Sequence, residues 1–288
     1  LMVLRRRPAR SAALYQRIWT AEGSPLLVHS RAQAAGLQDR LGENFRVILG
    51  MRYGQPSIAE AMETFAAESI DRILVFPMFP QFSSATTGSI YDAVNRAAFG
   101  AKRAMPTLRF VPPYYDHRAY IDALKIGIES AVDALDTPPD RYLFTFHGIP
   151  QRYVDEGDPY RDHCAVTAER LAEALRLNQA RWMIAFQSQF GREAWLQPYT
   201  DQALLRLGSE GVRSLVAICP GFTTDCLETL DEIGNDGRHQ FAQGGGEQFD
   251  YAPCLNSQPA WLAAMAKIVR EETGGWVQHR EARTLATN

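Results

Sequence analysis

Tyr142-Leu-Phe-Thr-Phe146, followed without pause by His147-Gly148-Ile149-Pro150, is an apolar, aromatic run stopped by a glycine and a proline. It is too short for a helix and rich in residues that suit a pleated surface, so it reads as a buried strand that ends in a tight turn. Helical spacing of apolar residues resumes over 159–177. The same order returns downstream, where Ser214-Leu-Val-Ala-Ile-Cys219 runs into Pro220-Gly-Phe222-Thr-Thr-Asp225-Cys-Leu-Glu228-Thr-Leu-Asp-Glu232. Strands alternating with helices predict an α/β fold, a parallel sheet wrapped by helices.

Outward from these two units, further strands are expected at 45–49, 72–79, 107–111 and 181–187, besides those at 142–146 and 213–219. Helices are expected at 31–41, 57–67, 117–135, 159–177, 200–207, 226–232 and 259–272. Ser57 with Glu60 forms a capping-box pattern, and Asp225 with Glu228 resembles one. In an open α/β sheet ligands bind beyond the carboxyl ends of the strands. The segments there are unusual: Pro80-Gln-Phe82-Ser-Ser-Ala-Thr-Thr87-Gly88-Ser89, Ser188-Gln-Phe190-Gly191, and the two turns quoted above. One cleft lined by all four is the expected site.

The chain has 288 residues, long enough for two domains, and 46% of them are hydrophobic. Lysine plus arginine number 30 against 33 acidic residues, a net charge of −3 with no basic excess for nucleic acid. No apolar run reaches the ~20 residues of a membrane span, and Leu1-Met-Val-Leu-Arg-Arg-Arg7 lacks a signal peptide's apolar core. A cytoplasmic, monomeric protein is expected, with at most peripheral contact with a membrane. Four cysteines without a Cys-x-x-Cys pair argue against disulfides and zinc fingers.

His147 can accept a proton near neutrality or ligate a metal, and it can equally be a strand-end residue bonded to a carbonyl. On a helix over 226–232, Asp225, Glu228 and Glu232 fall at i, i+3 and i+7, along one stripe. Such a stripe either complements the helix N-terminus or meets a cation, and oxygen ligands beside one imidazole suit a transient Fe2+ better than structural zinc. Tyr53, Phe82, Phe190, Trp195 and Phe222 could form a flat apolar wall or simply be core. Arg52 could pair with a ligand carboxylate, and Arg7, Tyr15 and Ser24 are weaker candidates of that sort.

Taken in order, these runs resemble the ferrochelatases, which insert Fe2+ into a porphyrin to make heme. The resemblance is carried by Thr145-Phe-His147-Gly-Ile-Pro150 with Gly157-Asp-Pro-Tyr160, Gln187-Ser-Gln-Phe-Gly191 with Glu193-Ala-Trp-Leu-Gln-Pro-Tyr-Thr200, Cys219 to Ile233, Pro80 to Ser89, and Gly23-Ser-Pro-Leu26. It spans about Arg7 to Glu272. It implies two flavodoxin-like, chelatase-type domains over 1–118 and 119–255, a helix and tail over 256–288 packing back on the first, and the porphyrin between the domains. It implies catalysis and metal contact by His147 and Glu228, an acidic path through Asp225 and Glu232, and porphyrin contacts from Arg52, Tyr53, Phe82, Phe222, Arg7, Tyr15 and Ser24. The partners so implied are porphyrin and ferrous iron, with iron as substrate and no prosthetic group. With Ser84 where animal-type members carry a cysteine, and no cysteine over 274–288, an iron–sulfur cluster is not expected. The family opens with a strand and a Leu-Gly-Thr-Pro-like turn; this chain starts inside a later helix, so the first domain is expected to lack its first strand. Protoporphyrin IX is the substrate the His-Gly-Ile-Pro form favours. Coproporphyrin III, and a truncated protein that binds tetrapyrroles without turnover, are the alternatives.

Overall fold

The computed structural model describes residues 14–100 and 105–285. Strand β3 (Arg141–His147) lies between β4 (Trp182–Gln187) and β5 (Ser214–Ile218), and β6 (Gln248–Ala252) pairs outside β5. All three pairings are parallel, in the order β4-β3-β5-β6. Each β3 residue from Tyr142 to Phe146 is buried, because helices cover both faces of the sheet. Strand alternation then splits the side chains between two cores. Tyr142, Phe144 and Phe146 pack with Tyr120, Leu171 and Trp261, whereas Leu143 packs with Leu204, Ile233 and Phe241.

In the first half, β1 (Arg72–Val75) and β2 (Thr107–Phe110) pair in parallel. Helices Ile58–Ala67 and Ser89–Gly100 bring Met62, Ile90, Val94 and Ala98 onto Ile73. The expected capping box exists: the Glu60 amide donates to Ser57 Oγ at 3.2 Å and the Ser57 amide to Glu60 Oε2 at 2.8 Å. Helix Pro259–Leu285 lies across helices Pro25–Leu41 and Arg118–Asp133 and reaches β1. Arg72 Nη1 donates to the Trp276 carbonyl at 2.8 Å, and Arg109 sits over the Trp276 ring at 4.5 Å.

Several expected elements are altered. The stretch 45–49 pairs with no strand among the described residues. The Gln38 amide substitutes for a neighbour, donating to the Phe45 carbonyl at 3.0 Å and accepting from the Val47 amide at 2.8 Å. β1 stops at Val75 rather than 79, because Pro77 supplies no ladder donor. The helix expected at 159–177 occurs as Tyr160–Ala174, and Gly157-Asp-Pro159 separates it from a short helix, Gln151–Asp155, that was not expected. Helix Ser89–Gly100 and β6 were not expected, although Gln248-Phe-Asp-Tyr-Ala252 alternates in the manner of a strand.

Candidate active site

His147 is the last residue of β3 and half-buried at the strand's carboxyl end. Its Nδ1 lies 2.7 Å from the carbonyl oxygen of Gly148. A carbonyl only accepts, so Nδ1 must carry the hydrogen, and in the neutral ring Nε2 keeps its lone pair. Gly148 is required where it stands: a Cβ there would come within 3.0 Å of both the Gln187 carbonyl oxygen and the Trp195 ring. Trp195 and Phe222 flank the imidazole with ring centroids at 6.2 and 6.4 Å.

Gln187, the register partner of His147 on β4, links this histidine to the acidic segment. Its Nε2 donates to the Glu228 carbonyl at 2.7 Å, and its Oε1 accepts from Thr145 Oγ1 at 3.1 Å. One buried amide therefore ties the ends of β3 and β4 to the loop after β5. The next residue, Ser188, adopts φ +65°, a region costly for a side chain that bears a Cβ. That turn aims its amide and hydroxyl at Glu232, 2.6 Å from Oε1 and 2.5 Å from Oε2. Burial pushes the Glu232 carboxyl above the usual range; the Ser188 bonds and the His147 charge oppose this, and Glu228 adds to it.

The three acids do not form one stripe. The chain makes one short α-turn, Leu227–Thr229, and continues as a π-helix, Leu230–Gly237, whose wider i→i+5 winding breaks the i, i+3, i+7 alignment. Asp225 precedes it and turns inward. Its Oδ1 accepts from Tyr251 Oη at 2.6 Å and Thr229 Oγ1 at 3.0 Å, and its Oδ2 from Asn256 Nδ2 at 2.6 Å. Only 4% exposed, Asp225 is the centre of a closed polar network rather than an open step beside His147. Tyr15 lies on the Glu228 side instead: burial raises its phenol and the Glu228 charge raises it further.

The remaining candidates belong to the first half. Phe82 is half-buried with its ring 6.4 Å from Tyr91, in the loop that ends as a π-turn, Ser84–Gly88. Arg52 donates through Nε to Ser89 Oγ at 2.8 Å and stacks over the ring of Tyr53, which is 77% exposed. Both therefore sit at the far end of the Phe82 loop. Ser24 uses its hydroxyl to cap helix Pro25–Leu41, accepting from the Leu27 amide at 3.3 Å. Arg7 lies outside the described residues.

The sequence model of one family, Ferrochelatase, matches residues 1–273. The chain belongs to the ferrochelatase family. The ferrochelatase of Alcanivorax borkumensis is 44% identical over 281 residues, covering 96% of this chain and 82% of its own. Those of Janthinobacterium sp. strain Marseille and Bradyrhizobium diazoefficiens are 44% and 42% identical, each over 96% of this chain and over 75% and 81% of their own. Among solved structures, SirB from Bacillus subtilis with Fe3+ superposes with a TM-score of 0.61 at 14% identity, over 87% of this chain and 92% of that one. At that identity the likeness speaks for the chelatase-type fold alone. As a ferrochelatase-family enzyme the chain is a metal chelatase, a lyase that inserts ferrous iron into a porphyrin in heme synthesis.

Within this ferrochelatase-family site, Gln187 and Ser188 were quoted from the sequence as part of a strand-end motif but given no role of their own, and Tyr251 and Asn256 were not singled out. Gln187 and Ser188 carried a signal, since they follow a strand directly. Tyr251 and Asn256 carried none, because they reach Asp225 only through the pairing of β6 with β5. Among the described residues no helix is long and apolar enough to cross a membrane.

Proposed function

We propose that the chain metallates protoporphyrin IX, with His147 and Glu228 as the catalytic pair in the cleft between the two halves. The observation that carries this reading is the Nδ1 contact with the Gly148 carbonyl, which leaves Nε2 unencumbered beside Trp195 and Phe222. A free porphyrin holds two inner N–H protons, and both must leave as Fe2+ takes four nitrogen ligands. Nε2 of His147 accepts one pyrrole proton as the N–H bond breaks and its electron pair turns to iron. Glu228, whose backbone carbonyl accepts from Gln187, takes the second pyrrole proton on its carboxylate as that N–H electron pair turns to iron. Glu232, rather than Asp225, receives a proton next, because Glu232 is only half-buried whereas Asp225 is closed inside its own network of donors. Trp195, Phe222 and Phe82 supply apolar surface on which a macrocycle can be held away from planarity, toward the transition state.

The test is metallation of protoporphyrin IX and, separately, coproporphyrin III with Fe2+ or Zn2+, using the protein at its natural length. Protoporphyrin should be turned over with at least about tenfold higher kcat/KM, a difference worth ~1.4 kcal/mol of transition-state binding. Preference for coproporphyrin would refute the substrate reading, and porphyrin binding without any metalloporphyrin would refute the catalytic one.

Glu232→Gln separates chemistry from stability. A carboxyl whose pKa is raised in the fold adds stability only below its ordinary value of 4.5, and that contribution is lost as pH climbs through the raised value. At neutral pH the amide should therefore leave urea stability unchanged or higher, with the Ser188 amide still bonded. Metallation should fall by about tenfold or more, as removal of a proton-relay group implies. A variant that loses stability at pH 8 and keeps its activity would contradict both statements.

A further inference from the structure

The proposed pair leaves a cluster outside the catalytic residues unexplained, where Gly157-Asp-Pro-Tyr160 and helix Tyr160–Ala174 meet the Phe82 loop. Four consecutive loop residues are bound there. Gln81 Nε2 donates to Thr167 Oγ1 at 2.9 Å, and the Phe82 amide donates to His163 Nδ1 at 3.1 Å. Ser83 Oγ, the Ser84 amide and Ser84 Oγ all donate to Asp158 Oδ2, at 2.9, 2.8 and 2.9 Å. The same segment holds the other side of the cleft, for Tyr160 Oη donates to the carbonyl of His147 at 2.9 Å. His163 also stacks on Tyr115 with ring centroids 3.8 Å apart.

We propose that Asp158 and His163 are positioning residues for porphyrin binding: they fix the Phe82 loop at a set distance from His147, so that the macrocycle meets a preformed slot. This rests on the reading of Phe82 as a porphyrin contact. Accepting a hydrogen from the Phe82 amide requires an Nδ1 without its own, the Nε2–H form of the neutral ring. Burial favours that neutral form, against the pull of Asp116, Asp158 and Asp162. Slot walls held in place before binding avoid the ordering cost of a loose loop, so the effect belongs in porphyrin affinity rather than turnover.

Two substitutions of one residue separate the hydrogen bond from the stacking. Phenylalanine at 163 keeps a ring against Tyr115 and removes the acceptor, whereas asparagine removes the ring and can place Oδ1 near the former Nδ1. Affinity is read by fluorescence quenching with metal-free protoporphyrin IX, and turnover with Zn2+. His163→Phe should weaken porphyrin binding and raise its KM about fivefold, the worth of one hydrogen bond, with kcat and the metal KM near the parent's. His163→Asn should recover most of the loss. Unchanged porphyrin affinity in His163→Phe, or equal loss in His163→Asn, overturns the proposal. If His163→Phe fails to fold, Asp158→Ala carries the same expectation, and unchanged affinity there overturns it too. Phe82→Ala is the control: if it binds porphyrin as the parent does, the reading of Phe82 fails; if it binds weakly while His163→Phe does not, only the clamp fails.

Discussion

His147→Ala should lower kcat for metallation by about two to four orders of magnitude, the usual worth of a positioned acid–base group, while metal-free protoporphyrin still binds. The reason lies in how the ring is held. Its Nδ1 faces the Gly148 carbonyl at 2.7 Å and its neighbours are the rings of Trp195 and Phe222, so Nε2 alone is left for chemistry. Alanine removes that lone pair without disturbing β3, whose pairing with β4 and β5 is made by backbone. Added imidazole should restore part of the rate if the ring accepts a proton or ligates iron from the cleft. The measurement is a stopped metallation assay beside a fluorescence titration. A variant with parental kcat would remove His147 from the mechanism altogether, and one that merely loses porphyrin affinity would make it a wall residue.

Asp225→Ala should have the largest effect on stability, and for a different reason. The carboxyl receives Tyr251 Oη at 2.6 Å, Asn256 Nδ2 at 2.6 Å and Thr229 Oγ1 at 3.0 Å in a site only 4% exposed. Without it, the part-buried Asn256 amide loses its acceptor and Tyr251 Oη keeps only the weak acceptor Cys254 Sγ at 3.2 Å, losses of about 1–3 kcal/mol each. A loss on the order of 3 kcal/mol is a large part of a typical domain's 5–15 kcal/mol. Asp225→Asn keeps the volume but turns an amide N–H2 toward one of those donors, so it should fall between parent and alanine. Urea unfolding followed by far-UV circular dichroism measures this. Equal midpoints for parent and alanine would show that water replaces the carboxylate without loss. Residual activity in the folded fraction of Asp225→Ala, compared with Glu232→Gln, then tells whether the inner acid takes any part in catalysis.

Much of the architecture was legible because it is local. An aromatic run broken by His147-Gly-Ile-Pro150 can only be a buried strand ending in a turn, and β3 is that strand. The expected strands at 142–146, 181–187 and 213–219 all occur, since their side chains must be buried whatever lies around them. The stretch 45–49 has similar composition and forms no ladder, because a strand exists only where a neighbour offers hydrogen bonds and here Gln38 offers them first. Spacing likewise suggested three acids on one helical face. The turn Leu227–Thr229 and the π-helix after it dissolve that face, and nothing in the periodicity of seven residues distinguishes an α- from a π-winding.

By itself the sequence determined which chemistry is present: an imidazole at a strand end, carboxylates after another strand, aromatic side chains beside both, and ordered motifs specific enough to name a family. Tertiary structure alone decided which of these groups can act. Glu232 is held by the left-handed turn at Ser188, just past the end of β4, and Asp225 is closed off by Tyr251 and Asn256 from β6 and the loop beyond it. The Phe82 loop is set by Asp158 and His163, about eighty residues away in the chain. Residue type and spacing define what a side chain can do. Where it points depends on hydrogen-bond partners brought close only when distant strands pair and helices pack.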